Sequence, residues 1–282
     1  MSNHAPTVTI PWECVRGMLC YRGISKVQTH CNLSIEKLTH IYKSSSPRAK
    51  IEKKANSGLL ALNNVNIKLE PGLYALLGPN GAGKSTLVNI LVGNMSPTKG
   101  KVLWCGRSIQ TLGRNYREIL GYVPQHQNLY NAFTGRQLLY YIAALKNINK
   151  KVEIEIEKAT EVTNMKTELN KKIGNYSGGM KRRLLIAASL LGNPKLIILD
   201  EPTAGLDPKE RVRLREVMAS IAEEKIIVFA THVVSDVESV AKKIIILRQG
   251  EIVCQGSKVE LIDRYPSAAS VEDVYMNIFG ED

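Results

Sequence analysis

One string, GPNGAGKS at residues 78–85, limits what this chain can fold into more than any other stretch. It fits the spacing G-x-x-x-x-G-K-[ST] through Gly78, Gly83, Lys84 and Ser85. Before it, Leu73-Tyr74-Ala75-Leu76-Leu77 reads as a short buried strand. After it, the apolar positions Leu87, Val88, Leu91 and Val92 fall on one helical face. A glycine-rich turn between strand and helix brings backbone N–H groups around an anion, because no side chain blocks the approach and the helix start carries partial positive charge. Pro79, Asn80, Gly81, Ala82 and Thr86 complete the expected phosphate cradle. Lys84 brings a full charge to β- and γ-phosphates, and the Ser85 hydroxyl is a hard oxygen ligand for Mg²⁺. The competing reading, a glycine-rich turn that holds nothing, leaves the joint presence of all four fixed residues unexplained.

A second segment points to the same chemistry. Asp200 and Glu201 follow the apolar run Leu196-Ile197-Ile198-Leu199, so two carboxylates end a buried strand. Strands expected at 196–200, 226–230 and 243–247 alternate with helices expected near 208–223 and 234–242, which implies a parallel sheet covered on both faces. Ligands bind at the carboxyl edge of such sheets. Asp200 suits a Mg²⁺ role there, and Glu201 can polarise an attacking water. Thr231-His232 closes the strand Ile226-Ile227-Val228-Phe229-Ala230 at that edge, so His232 is within reach of a γ-phosphate, although a lone strand-end histidine is more often structural.

Upstream, alternation predicts a strand at 33–38, and residues 1–31 read as an extension outside the fold. The stretch 42–58 reads as a polar loop, followed by strands at 59–69 and 102–105. Residues 132–175 are helical in pattern. Val152-Glu153-Ile154-Glu155-Ile156-Glu157 alternates like a strand, but its Glu and Lys content and its setting favour helix.

Composition sets outer limits. With 282 residues, 44% of them hydrophobic, the chain can bury a large core. The longest apolar stretch, around Leu184 to Leu191, falls well short of the roughly 20 residues that span a bilayer. The first residues lack a basic segment followed by an apolar one, which argues for the cytoplasm. The five cysteines show no C-x-x-C pair and are expected to be free thiols. A metal site gathering Cys14, Cys20, His30 and Cys31 matches no zinc spacing. Net charge is +12, and residues 1–58 carry nine basic against three acidic residues. Anionic lipid or nucleic acid would suit such a surface, but no aromatic residues interleave the lysines, so a solvated tail and loop is the simpler reading.

Tyr176-Ser177-Gly178-Gly179-Met180, some way before the Asp200-Glu201 strand, gives these pieces a family. With the phosphate loop, the chain resembles the nucleotide-binding subunit of an ATP-binding cassette (ABC) transporter. The segment is similar to that family's L-S-G-G-Q signature, with Tyr176 and Met180 departing at its ends. Val123-Pro124-Gln125 looks like the Q-loop, Ala204-Gly205-Leu206-Asp207 like the D-loop, His232 like the switch histidine and Tyr42 like the adenine-stacking residue. The resemblance covers about residues 32–282.

The resemblance implies a P-loop NTPase (RecA-like) α/β fold. A parallel sheet core would carry an antiparallel β subdomain and a helical subdomain at about 126–182. It implies ATP and Mg²⁺ as cofactors, with Ser85, Gln125 and Asp200 on the metal and Lys84, Gln125, Glu201 and His232 in catalysis. Ser177, Gly178 and Gly179 would face the γ-phosphate held by a second ATP-binding subunit, so that two nucleotides join a head-to-tail homodimer. It further implies an integral membrane transporter subunit as partner, a peripheral place at the cytoplasmic face of the membrane, transport in the direction of export, and no nucleic acid. The rival class is a soluble ABC ATPase such as an iron–sulfur assembly component or translation factor. Two departures stand out: the loop after Tyr42 is longer than the family's usual hairpin, and residues 1–31 have no counterpart in it.

Overall fold

In the computed structural model, residues 32–43, 58–126, 128–149 and 151–280 are described. The expected extension 1–31 and nearly all of the loop after Tyr42 lie outside them, as do Cys14, Cys20, His30 and Cys31.

Three strands carry the site. Strand β3 (Gly72–Leu77) leads into the phosphate loop, and β7 (Leu196–Asp200) and β8 (Ile226–Thr231) are buried throughout, as near-continuous aliphatic runs must be in a parallel sheet. β8 pairs in parallel with both, aligning Leu77 with Thr231 and Asp200 with Ala230. The end of β8 thus falls between the phosphate loop and the acid pair. β6 (Leu120–Val123), β9 (Lys243–Arg248) and β10 (Glu251–Gly256) complete a six-stranded sheet ordered β10-β9-β3-β8-β7-β6, parallel except for the β9–β10 hairpin.

Both faces are covered, yet the strands still sort their residues with period two. Leu76, Ile198 and Val228 pack with Leu87, Val88 and Leu91 of helix α1 (Lys84–Leu91). Leu77, Ile197, Leu199 and Phe229 face the other way, onto Leu214 and Met218 of a helix at Pro208–Ile221 and Val271 and Val274 of one at Val271–Phe279. Each such side chain contributes roughly 1.5–3 kcal/mol on burial.

A separate antiparallel sheet joins β1 (Leu33–Lys43), β2 (Gly58–Leu69), β4 (Lys99–Trp104) and β5 (Arg107–Ser108) in the order β2-β1-β4-β5. A third cluster unites helices α2 (Gly135–Leu145), α3 (Val152–Val162) and α4 (Gly178–Leu190) around Leu139, Ile156, Ile173 and Leu184. The expected architecture of parallel core plus antiparallel sheet is therefore present, and 152–157 is helical.

Three details differ from expectation. The pattern at 132–175 is divided into two helices and two short 3-10 turns. The helix expected near 234–242 is only a 3-10 turn at Val234–Asp236. Its valines disfavour helix, and Asp236 is wholly buried, accepting the Thr203 hydroxyl at 2.5 Å and facing Arg211 at 3.6 Å. Cys254 is a free buried thiol as expected, but Cys105 is disulfide-bonded.

Candidate active site

The phosphate loop is shaped by close backbone packing. Gly83 has φ 106°, and a Cβ there would lie 2.6 Å from the Ala61 carbonyl oxygen; a Cβ on Gly78 would strike the Leu247 carbonyl. Gly83 is also the N-cap of α1 and supplies no side-chain cap, so the first-turn amides of α1 remain for an anion. Lys84 is buried, its Nζ donating to the carbonyls of Gly78 at 2.5 Å and Pro79 at 3.1 Å.

Pro79, Asn80, Gly81, Gly83, Lys84, Ser85 and Thr86 line a cavity of about 260 Å³ with Tyr42, Leu59, Leu60, Gln125 and Glu201. Tyr42 reaches it because β1 continues two residues past the polar boundary expected at 42. Its hydroxyl lies 3.2 Å from that of Thr86, and the His40 ring meets it edge-on at 4.7 Å. Ala82 is buried beneath the loop.

Asp200 and Glu201 are both buried, and Glu201 breaks the strand with φ 46°. A non-glycine residue in this region costs about 1–3 kcal/mol and needs its surroundings to hold it. The Glu201 N–H donates to Ala230 O at 2.8 Å, and its carbonyl accepts from the Ala204 N–H at 3.2 Å. The carboxylate is gripped as well: Oε2 accepts from the Thr231 hydroxyl at 3.1 Å, and Oε1 lies 2.9 Å from His232 Nδ1. The Glu201 side chain is 7% exposed and that of His232 is 53% exposed, so the imidazole stands in front of the carboxylate.

The charges here are strained by burial. Desolvation holds the Lys84 ammonium below its ordinary range, opposed by the Glu201 and Asp200 carboxylates. Burial, and then the Glu201 charge, raise Asp200; Lys84, Arg182 and His126 work the other way. A cation would relieve the two adjacent carboxylates. Asp200, Ser85 and Gln125 offer hard oxygens with a single carboxylate, the donor set of a magnesium ion that keeps waters and phosphate oxygens in its shell. The residues therefore fit Mg²⁺.

Ser177, Gly178 and Gly179 are not in this cavity. Ser177 caps α4, accepting the Met180 N–H at 3.2 Å, and both Ser177 and Gly178 are exposed. Gly178 instead lines a groove with Gln125, Arg182, Ala204 and Gly205, so Gln125 borders both spaces. Tyr176, where the signature has leucine, is buried and donates its hydroxyl to Glu168 O at 2.7 Å.

Sequence reasoning passed over two residues that hold this site. Thr231 was legible as the one hydroxyl ending an all-apolar strand. Arg182 lies in the basic run Lys181-Arg182-Arg183 that follows the signature segment, and it is buried.

Comparisons with known proteins give the family. The family model described as ABC transporter matches residues 62–204. The uncharacterized ABC transporter ATP-binding protein YxlF of Bacillus subtilis (strain 168) is 37% identical over 203 residues, covering 71% of this chain and 67% of that protein. The Nod factor export ATP-binding protein I of Rhizobium etli is 34% identical over 211 residues, 74% of this chain and 67% of that protein. A solved ATP-binding cassette, dimeric in a post-hydrolysis state with ADP and phosphate, matches with TM-score 0.66 and 25% identity over 80% of this chain and 98% of its own. The chain spans about a quarter of the length of the A-family ABC transporters it matches in Dictyostelium discoideum. The chain belongs to the ABC transporter family, as an ABC ATPase nucleotide-binding domain.

Proposed function

We propose that this chain binds MgATP and hydrolyses it as one half of a head-to-tail pair, powering transport through a membrane-spanning partner. One observation carries the reading. The phosphate loop, Gln125 and Glu201 share a cavity, while the exposed Ser177-Gly178 start of α4 lies outside it and is left to serve another copy.

In this reading the loop amides and Lys84 hold the β- and γ-phosphates, and Tyr42 offers its ring to the base. Ser85, Asp200 and Gln125 hold Mg²⁺, which when bound supplies charge neutralisation on the phosphate oxygens. Glu201 orients the attacking water through the oxygen not committed to Thr231, and His232, held by Glu201, turns toward the γ-phosphate. The second copy contributes Ser177, Gly178 and Gly179, so closing the pair completes the site.

The cassette found dimeric with ADP and phosphate supports the pairing. No helix among the described residues is long and apolar enough to cross a membrane. The pathway is proposed to lie in a membrane-spanning partner, with this chain at the membrane's cytoplasmic face. Export is proposed on the relative named for Nod factor export. The helices around α2 to α4 form the proposed helical subdomain that would transmit closure.

Glu201→Gln tests the site. It is expected to keep MgATP binding, to lower hydrolysis by about 10²–10⁴-fold and to trap an ATP-bound dimer, measured by phosphate release and light scattering. An unchanged hydrolysis rate rules out the role given to Glu201.

A further inference from the structure

Arg182 sits on α4, two residues after the signature segment, and only 9% of it is exposed. Its guanidinium does not end on a carboxylate. Nη1 donates to Pro124 O at 3.0 Å, and Nη2 reaches Gln125 O at 3.2 Å and Glu201 O at 3.4 Å. One side chain therefore ties three places together: the helix that begins at Ser177, the main chain of Gln125 and the peptide of Glu201. The planar fork of a guanidinium spreads its donors over several acceptors in fixed directions, whereas a lysine's ammonium is a compact, freely rotating point charge.

The Glu201 contact matters most because that residue lies at φ 46°, where a non-glycine backbone needs external hold. Its N–H is fixed by Ala230 and its carbonyl by Ala204. Arg182 is the tie to the carbonyl that comes from the signature helix. A shift of α4 is thus felt at the peptide that aims the Glu201 carboxylate and at the one that carries Gln125.

We propose that Arg182 is a positioning residue for hydrolysis, setting Glu201 and Gln125 by where the signature helix stands, so that turnover rather than nucleotide binding depends on it. This rests on the role proposed for Glu201. Arg182 touches no phosphate itself; it acts through the carbonyls it holds.

The test compares Arg182→Met and Arg182→Lys with the unaltered chain and with Glu201→Gln, each as the full chain. Arg182→Met is expected to lower kcat by about 10–100-fold with KM and the Kd for MgATP within about 2-fold. Arg182→Lys, whose shorter, compact head does not span all three carbonyls in fixed geometry, should give an intermediate kcat and keeps the test available if the Met variant does not fold. Adding Arg182→Met to Glu201→Gln should cost less than about 3-fold more in residual hydrolysis, because the carboxylate being aimed is already gone. A full kcat in the Lys variant, equal losses in kcat and MgATP affinity, or additive losses in the double variant would overturn the proposal. If Glu201→Gln itself hydrolyses ATP normally, the fault lies with the role of Glu201 instead.

Discussion

Lys146 gives the sharpest quantitative handle on how the helical cluster is fixed to the sheet. It follows α2, and its Nζ is drawn inward to donate to Leu191 O at 2.8 Å, at the end of α4, with Leu120 O of β6 at 3.5 Å. Among the described residues no acidic partner offsets the loss of water, and burial lowers its pKa from 10.5 to about 8. The folded-state value lies below the unfolded one, so the folded chain binds fewer protons between these values and stability rises with pH there. At and below about pH 7 the full cost of burying the ammonium is present; as pH climbs past about 8 the folded chain sheds the proton and the cost fades. From about pH 7 to pH 10 this group alone should raise the unfolding free energy by about 2.5 kcal/mol. Lys146→Met removes that component and leaves Leu191 O without its donor, a loss of about 1–3 kcal/mol that does not vary with pH. The perturbed Lys84 and Lys225 are common to both proteins and cancel in the difference. Urea unfolding at several pH values should therefore show the stability gap between the unaltered chain and the Met variant widening in favour of lysine as pH rises. Parallel curves would refute the argument that the ammonium is buried without compensation.

Two further substitutions probe the phosphate site. Thr231→Val keeps the shape of a fully buried side chain but removes the hydroxyl that Glu201 Oε2 and the Val233 N–H share. It should cost about 2–4 kcal/mol in thermal unfolding and lower kcat with little change in MgATP affinity; a loss of affinity as large as the loss of kcat would contradict the geometry. Lys84→Met should weaken ATP binding by a factor of about 10–150, the range of one charge-assisted contact, in isothermal titration. An unchanged Kd would show that Lys84 stays on the carbonyls of Gly78 and Pro79 when nucleotide binds.

Much of the fold was legible because its signals are local. The phosphate loop declares itself through glycines that only a crowded turn requires, and Gly78 and Gly83 indeed abut the carbonyls of Leu247 and Ala61. β3, β7 and β8 declare themselves as aliphatic runs, since a strand buried on both faces has no polar alternation to lose. The segment 234–242 misled for a reason that is only partly local, since its valines already disfavour helix. Asp236 is also held by the Thr203 hydroxyl and faces Arg211, and that demand from distant residues prevails over a helical pattern. Tyr42 was assigned to the cavity before its strand could be drawn to full length, because the register that carries β1 to Lys43 depends on pairing with Leu59 and Gly58.

What stayed hidden shares one physical cause. Arg182 and Lys146 are cations at seams between the helical cluster and the sheet, and long cations are expected on solvated faces, so a sequence reading places them there by default. Nor does a partner betray them, since the groups they meet are the main-chain carbonyls of Pro124, Gln125, Glu201 and Leu191. Every residue carries a carbonyl, so the side chains at those positions hold no record of the contact. A seam made this way leaves its side chains free to meet nucleotide or water, and that freedom is what the Gln125 and Glu201 side chains require. The same economy that makes the contact invisible in sequence makes it suited to joining moving parts around a reaction.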